Sequence, residues 1–199
     1  MGFSKPVSRD TGRAAGFTLI EITVVIAITL IVGAIAVPNM MSVISNARLH
    51  AGVTSMSGLL QSCRMEAVKR NLTLTAHFDI DEGTLVGWAQ KANETPGLLP
   101  THIQAQWEAP VSMMPSPIGP GAPSEISTAV LGFTPQTTEA SFNTRGLPCA
   151  YSGGACDNDG FLYYFKDMSR QGSQGWAALS ISPAGRIKKW FWTGSTWVD

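Results

Sequence analysis

The stretch AAGFTLIEITVVIAITLIVGAIAVP, residues 14–38, decides the fold of this 199-residue chain. From Phe17 to Val37 it contains 21 residues and a single charged side chain, that of Glu21. At about 1.5 Å per residue, a helix of this length covers the roughly 30 Å hydrocarbon core of a bilayer. The stretch therefore predicts a membrane-spanning helix at residues 17–37.

Glu21 is the unexpected residue of this helix. A carboxylate one turn inside a spanning segment costs about 2.5–3.5 kcal/mol at the helix centre and less near the interface, so it is usually retained for a partner of opposite charge. The three basic side chains of the first 16 residues all precede Gly16, on the far side of the apolar start. A free amine at Phe17 would supply the cation, and this amine exists only if the chain is cut after Gly16.

The run GFTLIE, residues 16–21, between a short basic leader and the apolar stretch, resembles the class III signal of type IV prepilins and type II secretion pseudopilins. The resemblance implies that a prepilin peptidase cleaves after Gly16 on the cytoplasmic side and methylates the new N-terminal Phe17. It also implies that Glu21 pairs with the Phe17 amine of a neighbouring subunit and so sets the register of filament assembly. Pro38 lies where such helices often bend, which predicts a kink there.

Two simpler interpretations of the N-terminus compete with this one. A secretory signal peptide has an apolar region of about 7–15 residues, followed by a small-residue cleavage site. The stretch here is longer and carries an internal acid. An ordinary single-pass anchor of a periplasmic protein tolerates a glutamate near the interface. Neither alternative explains the Gly16-Phe17 junction.

The charge and the length of the chain limit which partners and how many domains we expect for the residues after the apolar helix. It has 14 basic and 14 acidic side chains, and removal of residues 1–16 leaves 11 basic and 13 acidic ones, so bulk charge gives no argument for a polyanionic partner. The positive-inside rule keeps the basic leader in the cytoplasm and sends the C-terminal part across the membrane. We expect a single-pass bacterial inner-membrane protein with one periplasmic domain of about 160 residues.

The spacing of the cysteines is typical of a protein that folds in an oxidising compartment. Cys149 and Cys156 bracket the short segment CAYSGGAC, which we interpret as a loop closed by a disulfide. Cys63 is left over and is expected to be a small buried apolar residue. The three histidines are scattered one by one and are interpreted as structural or solvent-facing, so no metal site is expected.

Hydrophobic periodicity extends the helix beyond Pro38 to about residue 71. The stripe recurs mostly at steps of three or four and consists of Met41, Ile44, Ala47, Leu49, Val53, Met56, Leu59, Leu60, Cys63, Ala67 and Val68. Alternation then predicts a hairpin of strands 73–80 and 84–91 around a turn at residues 81–83. Further strands are predicted at 103–107, 129–133, 161–166, 176–182 and 186–192. The proline-rich segment 109–124 is expected to be an irregular loop that contacts a partner subunit.

Three shorter motifs narrow the resemblance. The helix end CRMEAVKRN at residues 63–71, the run FNTRG at 142–146 and the run SISPAGRI at 180–187 are similar to the FimT/GspH group of minor pilins and minor pseudopilins. The resemblance implies an α+β fold in which a long N-terminal helix, transmembrane and then amphipathic, packs on an antiparallel β-sheet. It divides the chain into a leader (1–16), a transmembrane and filament-core helix (17–37), its amphipathic continuation (38–72) and a β-rich periplasmic domain (73–199).

The function that these patterns favour is structural. A minor pilin or pseudopilin would prime or tip a type IV pilus or a type II secretion pseudopilus, with a prepilin peptidase and other filament subunits as partners.

The alternative is DNA binding for natural transformation, because some FimT-like minor pilins hold DNA through a C-terminal motif similar to GRIKK at 185–189. Arg186, Lys188 and Lys189 would then contact phosphates and nearby tryptophans would stack on bases. In a strand, however, these side chains alternate between two faces, which favours ordinary sheet packing instead.

An enzymatic function is not expected. The chain has no GxSxG nucleophile motif and no phosphate-binding glycine loop. The run DNDG at 157–160 lacks the full spacing of a calcium loop and is typical of a turn. We therefore predict neither catalytic residues nor a cofactor.

Overall fold

The computed structural model describes residues 17–81, 84–99, 101–107 and 109–199, apart from the side chains of residues 38, 39, 80, 81 and 84. The leader at 1–16, including the expected cleavage at Gly16, and the tip of the predicted turn at 82–83 therefore lie outside the described residues. The chain divides into two compact units, one ending at Ser42 and one from Val43 to Asp199.

The described part of the first unit contains the apolar half of helix α1, which runs from Leu19 to Arg70. In the described part of the chain it is the helix long and apolar enough to cross a membrane, judged by length and composition. The hydroxyls of Thr23 and Thr29 donate to the carbonyls of Ile20 and Val25, both at 2.8 Å. These hydroxyls are thus satisfied within the helix, as a lipid environment requires. Helix α1 continues through Pro38, and a bend there stays a prediction.

In the second unit, α1 packs through one face. Its buried residues recur at steps of three and four: Leu49, Val53, Met56, Leu60, Cys63 and Ala67. Four residues that the sequence pattern assigns to this stripe are instead exposed: Met41, Ile44, Ala47 and Val68. The helix ends at Arg70, and Asn71 takes a left-handed conformation with φ of 55°, which stops the helical hydrogen-bond pattern.

Two antiparallel sheets complete the second unit. Sheet A has the order β3-β2-β1-β6-β7-β8, with strands Leu74–Asp81 (β1), Thr84–Lys91 (β2), Ile103–Trp107 (β3), Ser141–Phe142 (β6), Pro148–Ser152 (β7) and Ala155–Asn158 (β8). Sheet B has the order β12-β11-β10-β9-β4, with strands Val111–Met114 (β4), Gly160–Asp167 (β9), Trp176–Ile181 (β10), Ile187–Trp192 (β11) and Trp197–Val198 (β12). The short strand Pro135–Gln136 (β5) pairs parallel to β9.

The main core lies where α1 meets the inner faces of both sheets. Alternate residues of β9 face this core, namely Phe161, Tyr163 and Phe165. The residues between them, Leu162 and Tyr164, belong to a second cluster on the outer face of sheet B. Every residue of β9 is therefore buried, which explains why this strand is apolar on both faces rather than alternating.

The second cluster is covered by the proline-rich segment and the residues after it. Ile126 is 5% exposed and packs with Trp176 and Trp190, and its N–H donates to the Tyr164 hydroxyl at 3.0 Å. The segment 109–124 is not wholly irregular, because it contains β4. Part of its length serves packing within the chain, and a partner contact by its exposed residues stays a prediction.

The expected α+β fold is confirmed: a long N-terminal helix packs on antiparallel sheets. The strands predicted at 84–91 and 103–107 match β2 and β3. The predictions for β10 and β11 differ from the structure by one residue at one end, and those for β1 and β9 by one residue at each end. The predicted strand at 129–133 is wrong. Most of these residues belong instead to the short helix α2, Thr128–Leu131, because the Ser127 hydroxyl caps its N-terminus and Gly132 with φ of 78° ends it. The segment 149–156 is a hairpin of β7 and β8 rather than a loop.

Candidate functional site

The N-terminal candidate site consists of Phe17 and Glu21. Both side chains are exposed, and Glu21 lies in the first turn of α1. The Thr18 hydroxyl accepts a hydrogen bond from the Glu21 N–H at 3.3 Å, and the Ile22 N–H donates to the Thr18 carbonyl at 3.2 Å. The spacing T-x-x-E is that of a capping box, in which a glutamate at the third helical position stabilises the N-terminus.

Within the ion pairs of the described residues, Glu21 has no partner. Its carboxylate is therefore available to a cation from another molecule. The capping position has a second consequence: the positive end of the helix dipole stabilises a negative charge at Glu21 before any partner arrives.

The three short motifs of the globular part meet at Arg64. Its guanidinium donates to the carbonyl of Gly185 at 3.0 Å, and its side chain also packs against Gly146. The helix end, the turn after β6 and the turn after β10 thus come together around one side chain. The motifs are far apart in sequence, but the structure gives them one shared role, which is to close a corner between α1 and both sheets.

Glycine is required at this corner for two reasons. Gly146 and Gly185 have φ values of 75° and 81°, which favour glycine. A Cβ atom at Gly146 would lie 2.9 Å from the Val68 Cγ2 atom, and one at Gly185 would lie 3.1 Å from the Arg64 guanidinium carbon. This packing explains the two glycines of the FNTRG and SPAGRI runs without any ligand.

The basic residues of the GRIKK run do not form one surface. Lys189 lies on the helix side of β11 and donates to the Thr54 hydroxyl at 3.3 Å. Lys188 lies on the outer face, where it forms an ion pair with Asp199 and its Nζ atom is 4.9 Å from the Trp190 ring centroid. The expected alternation along the strand is seen in the packing: Ile187 and Phe191 contact the main core, and Trp190 and Trp192 contact the outer cluster.

The three cysteines divide into a bridged pair and a free thiol. The structure joins Cys149 and Cys156 in a disulfide across the β7–β8 hairpin, with their Cα atoms 5.2 Å apart. The two-residue turn of this hairpin is Gly153-Gly154, with φ values of 57° and 90°, as a type I′ turn requires. Cys63 is free and fully buried, and burial raises the pKa of its thiol to about 12.

Each histidine contacts protein groups. His77 is buried on sheet A, and its Nδ1 atom lies 2.7 Å from a Glu139 carboxylate oxygen. His50 is exposed and stacks on Phe191 at 3.8 Å, while the Nδ1 atom of His102 accepts a hydrogen bond from the Leu99 N–H at 3.3 Å. Among the residues described, no group of three or more His, Cys, Asp or Glu side chains is placed to hold a metal ion.

The DNDG run does not form the expected turn: Asp157 and Asn158 end β8, Gly160 begins β9, and Asp159 alone links the two strands. The Asp159 carboxylate accepts a hydrogen bond from the Gly160 N–H at 2.8 Å. The sequence interpretation missed a different acid, Asp167 at the end of β9, which is fully buried. The sequence signal for this residue was that Asp167 ends an apolar run. If such a strand is buried, its carboxylate must find hydrogen-bond partners within the protein.

One comparison with known proteins gives a match. Residues 12–37 match the family model of the prokaryotic N-terminal methylation motif. Neither the curated proteins nor the solved structures contain a match to the chain. The matched motif covers the basic end of the leader, the Gly16-Phe17 junction, Glu21 and the apolar helix, and it supports a class III prepilin-like signal on a protein of the type IV pilin or pseudopilin type.

Proposed function

We propose that this protein is a minor pilin or pseudopilin, a structural subunit that primes or tips a type IV pilus or a type II secretion pseudopilus. The observation that carries the proposal is the methylation motif at residues 12–37, followed by an apolar helix that is continuous with a packed domain. A filament subunit needs both parts: the apolar helix for the filament core and a folded domain on its outside. Membership of the FimT/GspH group is supported by the three motifs that meet at Arg64.

The proposal includes a processing pathway. A prepilin peptidase cleaves after Gly16 and methylates Phe17, while the helix spans the inner membrane once and the β-rich domain lies in the periplasm. Support comes from the basic residues before Gly16, which the positive-inside rule keeps on the cytoplasmic side. Glu21 then pairs with the Phe17 amine of a neighbouring subunit as the new subunit enters the filament.

Replacement of Gly16 with Ala tests the processing step. We expect Gly16→Ala to accumulate as the unprocessed chain in the inner membrane, since the extra methyl group blocks cleavage at this junction. Mass spectrometry of the wild-type N-terminus should show N-methylphenylalanine at Phe17. Maturation of the variant to normal size would place the cut elsewhere and would remove the peptidase from the proposal.

Replacement of Glu21 with Ala tests the assembly step. We expect Glu21→Ala to insert into the membrane as well as the wild type or better, because it removes a charge that costs up to about 3 kcal/mol. Its incorporation into sheared filaments should fall below detection by immunoblot. Thr23→Ala is the matched control, since it removes a hydroxyl that is satisfied within the same helix. Normal incorporation of the Glu21 variant would contradict the register mechanism.

DNA binding is the weaker proposal. Lys188 is paired with Asp199 and Lys189 lies on the opposite face of β11, so Arg186 is the cation left without an ion pair on the Lys188 face among the described residues. Affinity for a polyanion grows with the number of phosphates neutralised and falls with salt. One unpaired cation supports only weak, salt-sensitive binding.

A further inference from the structure

A cavity of about 330 Å³ opens on the outer face of sheet B, beside Trp190. We call it the Trp190 pocket. One wall is apolar and comes from α2 and the residue after its cap: Val130, Leu131 and Phe133. The rest of the lining consists of the Trp190 ring, the cations Arg186 and Lys188, and the two serines Ser180 and Ser182. The pocket thus combines an apolar surface and positive charge within one small space.

The apolar wall is exposed yet held in place. None of the residues of α2 is buried, and Val130 is 61% exposed. The helix is fixed at both ends, by the Ser127 cap and by Gly132, whose N–H donates to the Thr128 carbonyl at 2.7 Å. Phe133 packs directly over Gly160, where any Cβ would lie 2.3 Å from its ring. Apolar groups held rigidly in water lose little further freedom when a partner covers them.

The charged wall has a carboxylate next to it, that of Asp199. Lys188 forms an ion pair with Asp199, and this hydrogen bond lowers the pKa of Asp199. The Arg186 guanidinium forms no direct hydrogen bond or ion pair within the part of the chain that the structure describes, although its charge also contributes to the lowered pKa of Asp199. Among the described residues, no acidic side chain lines the pocket itself. Asp199 therefore acts on both cations from outside the pocket lining, and of the two only Lys188 is directly paired with it among the described residues.

We propose that the Trp190 pocket binds an acidic side chain next to an apolar one, on an exposed segment of another subunit of the filament. The proposal rests on the proposed filament function. The apolar residue of the partner covers Val130 and Phe133, and its carboxylate pairs with Arg186 and competes with Asp199 for Lys188. Two cations beside three apolar side chains suit such a peptide better than a nucleic acid, which requires a longer positive track.

The experiment uses the full chain, labelled with ¹⁵N, in uncharged maltoside micelles. The probes are the peptide acetyl-Asp-Phe-Asp-amide, its neutral counterpart acetyl-Asn-Phe-Asn-amide and single-stranded oligothymidylate. The readouts are the indole N–H signal of Trp190 and the Nε–H signal of Arg186. We expect the acidic peptide to shift both signals with saturation, and the neutral peptide to bind more weakly by about fivefold, the upper range for one exposed ion pair.

Three variants sharpen the test. Asp199→Asn frees Lys188 and should tighten binding of the acidic peptide by up to about fivefold. Arg186→Gln should weaken it by a similar factor. Lys189→Gln is the matched control, because it removes a positive charge from the same strand but on the opposite face, and binding should stay unchanged. All three positions are at the surface or half-buried, and the unperturbed signals of each variant report whether it has folded.

Each contrary outcome overturns the proposal. Equal affinity for the acidic and neutral peptides removes the charge argument, and equal loss in the Lys189 and Arg186 variants shows general attraction rather than a site. Unchanged affinity in Asp199→Asn means that the pocket does not take carboxylates. Shifts by oligothymidylate at lower concentration than by the peptide assign the site to nucleic acid. These titrations need no filament, so their failure is distinct from a failure of Glu21→Ala to block assembly.

Discussion

At the scale of single residues, Asp167 ties the helix to the sheet. Its carboxylate is fully buried and accepts hydrogen bonds from the Ser169 N–H at 2.9 Å, from the Ser169 hydroxyl at 2.6 Å and from the hydroxyl of Ser45 on α1. Next to it, the Arg170 guanidinium donates to the side-chain oxygen of Asn46 at 2.7 Å. The start of the packed part of α1 is thus held by polar contacts as well as by the apolar core.

The contacts of Asp167 predict a pH dependence of stability. Burial raises the pKa of this carboxyl, but the hydrogen bonds from Ser169 and Ser45 and the charge of Arg170 outweigh burial, so the pKa is lowered. A lowered pKa in the folded state contributes stability that is present above the unfolded value of about 3.9 and is lost as the pH falls through the folded value. Urea unfolding of the full chain in micelles should therefore show a loss of stability below about pH 4.

Replacement of Asp167 with Asn should cost about 1–3 kcal/mol at pH 7, because an amide accepts fewer of these hydrogen bonds. The variant should also lose part of the acid sensitivity of the wild type. Ser45→Ala, which removes one of the three donors, is expected to show a smaller loss. A variant as stable as the wild type at pH 7 would mean that the buried carboxylate contributes nothing net.

At the scale of secondary-structure elements, the corner around Arg64 decides how three segments meet. The last turns of α1 contact the β6–β7 turn through Gly146 and the β10–β11 turn through Gly185. The two glycines differ in their surroundings. The neighbours of Gly146 include the branched Val68 side chain at 2.9 Å, whereas the neighbour of Gly185 is the flexible end of Arg64.

Replacement of Gly146 with Ala should destabilise the protein by more than backbone strain alone. A positive φ costs a non-glycine residue about 1–2 kcal/mol, and the contact with Val68 adds to this cost. Gly172→Ala is the matched control, because Gly172 has φ of 63° but a Cβ atom added there would meet nothing within 4 Å. Denaturant unfolding should rank the Gly146 variant below the control, and equal losses would show that the corner tolerates the extra methyl group.

The strands and helices also show where the local sequence is sufficient to predict an element and where it is not. The sequence predicts β2 and β3 with their observed ends. Along β3, half-buried and exposed residues alternate up to the buried Trp107, whereas β2 is buried along most of its length and is predicted as the partner of β1 across the turn. The β-branched and apolar composition of residues 129–133 predicts a strand that does not form. The capping hydroxyl of Ser127 and the left-handed Gly132 determine a helix instead, since local hydrogen bonds outweigh a weak strand propensity over four residues.

At the scale of the whole molecule, the state of the three cysteines depends both on the fold and on whether the protein folds in an oxidising compartment. A domain folded in an oxidising compartment should contain the Cys149–Cys156 bridge and a buried Cys63 thiol. Burial raises the pKa of Cys63 to about 12, so the reactive thiolate is almost absent at neutral pH.

Thiol counting on the full chain tests this arrangement. We expect no reaction of the native protein with a thiol reagent, one reactive thiol after unfolding without reductant, and all three after unfolding with reductant. Three thiols in the unfolded, unreduced protein would show that the bridge does not form in the cell. A labelled native protein would contradict the burial of Cys63.

The sequence by itself determined the apolar helix, the class III prepilin-like signal, the α+β class and most of the long strands, because each depends on neighbouring residues and their periodicity. The tertiary structure decided what distant residues do together. Arg64 and Gly185 are 121 positions apart, and Ser45 and Asp167 are 122 apart. In the folded sheets, Lys188 and Lys189 lie on opposite faces. The proline-rich segment covers the outer cluster of sheet B, and the Trp190 pocket forms only when these elements pack together. Local patterns predict elements, whereas contacts across more than a hundred residues depend on how those elements pack.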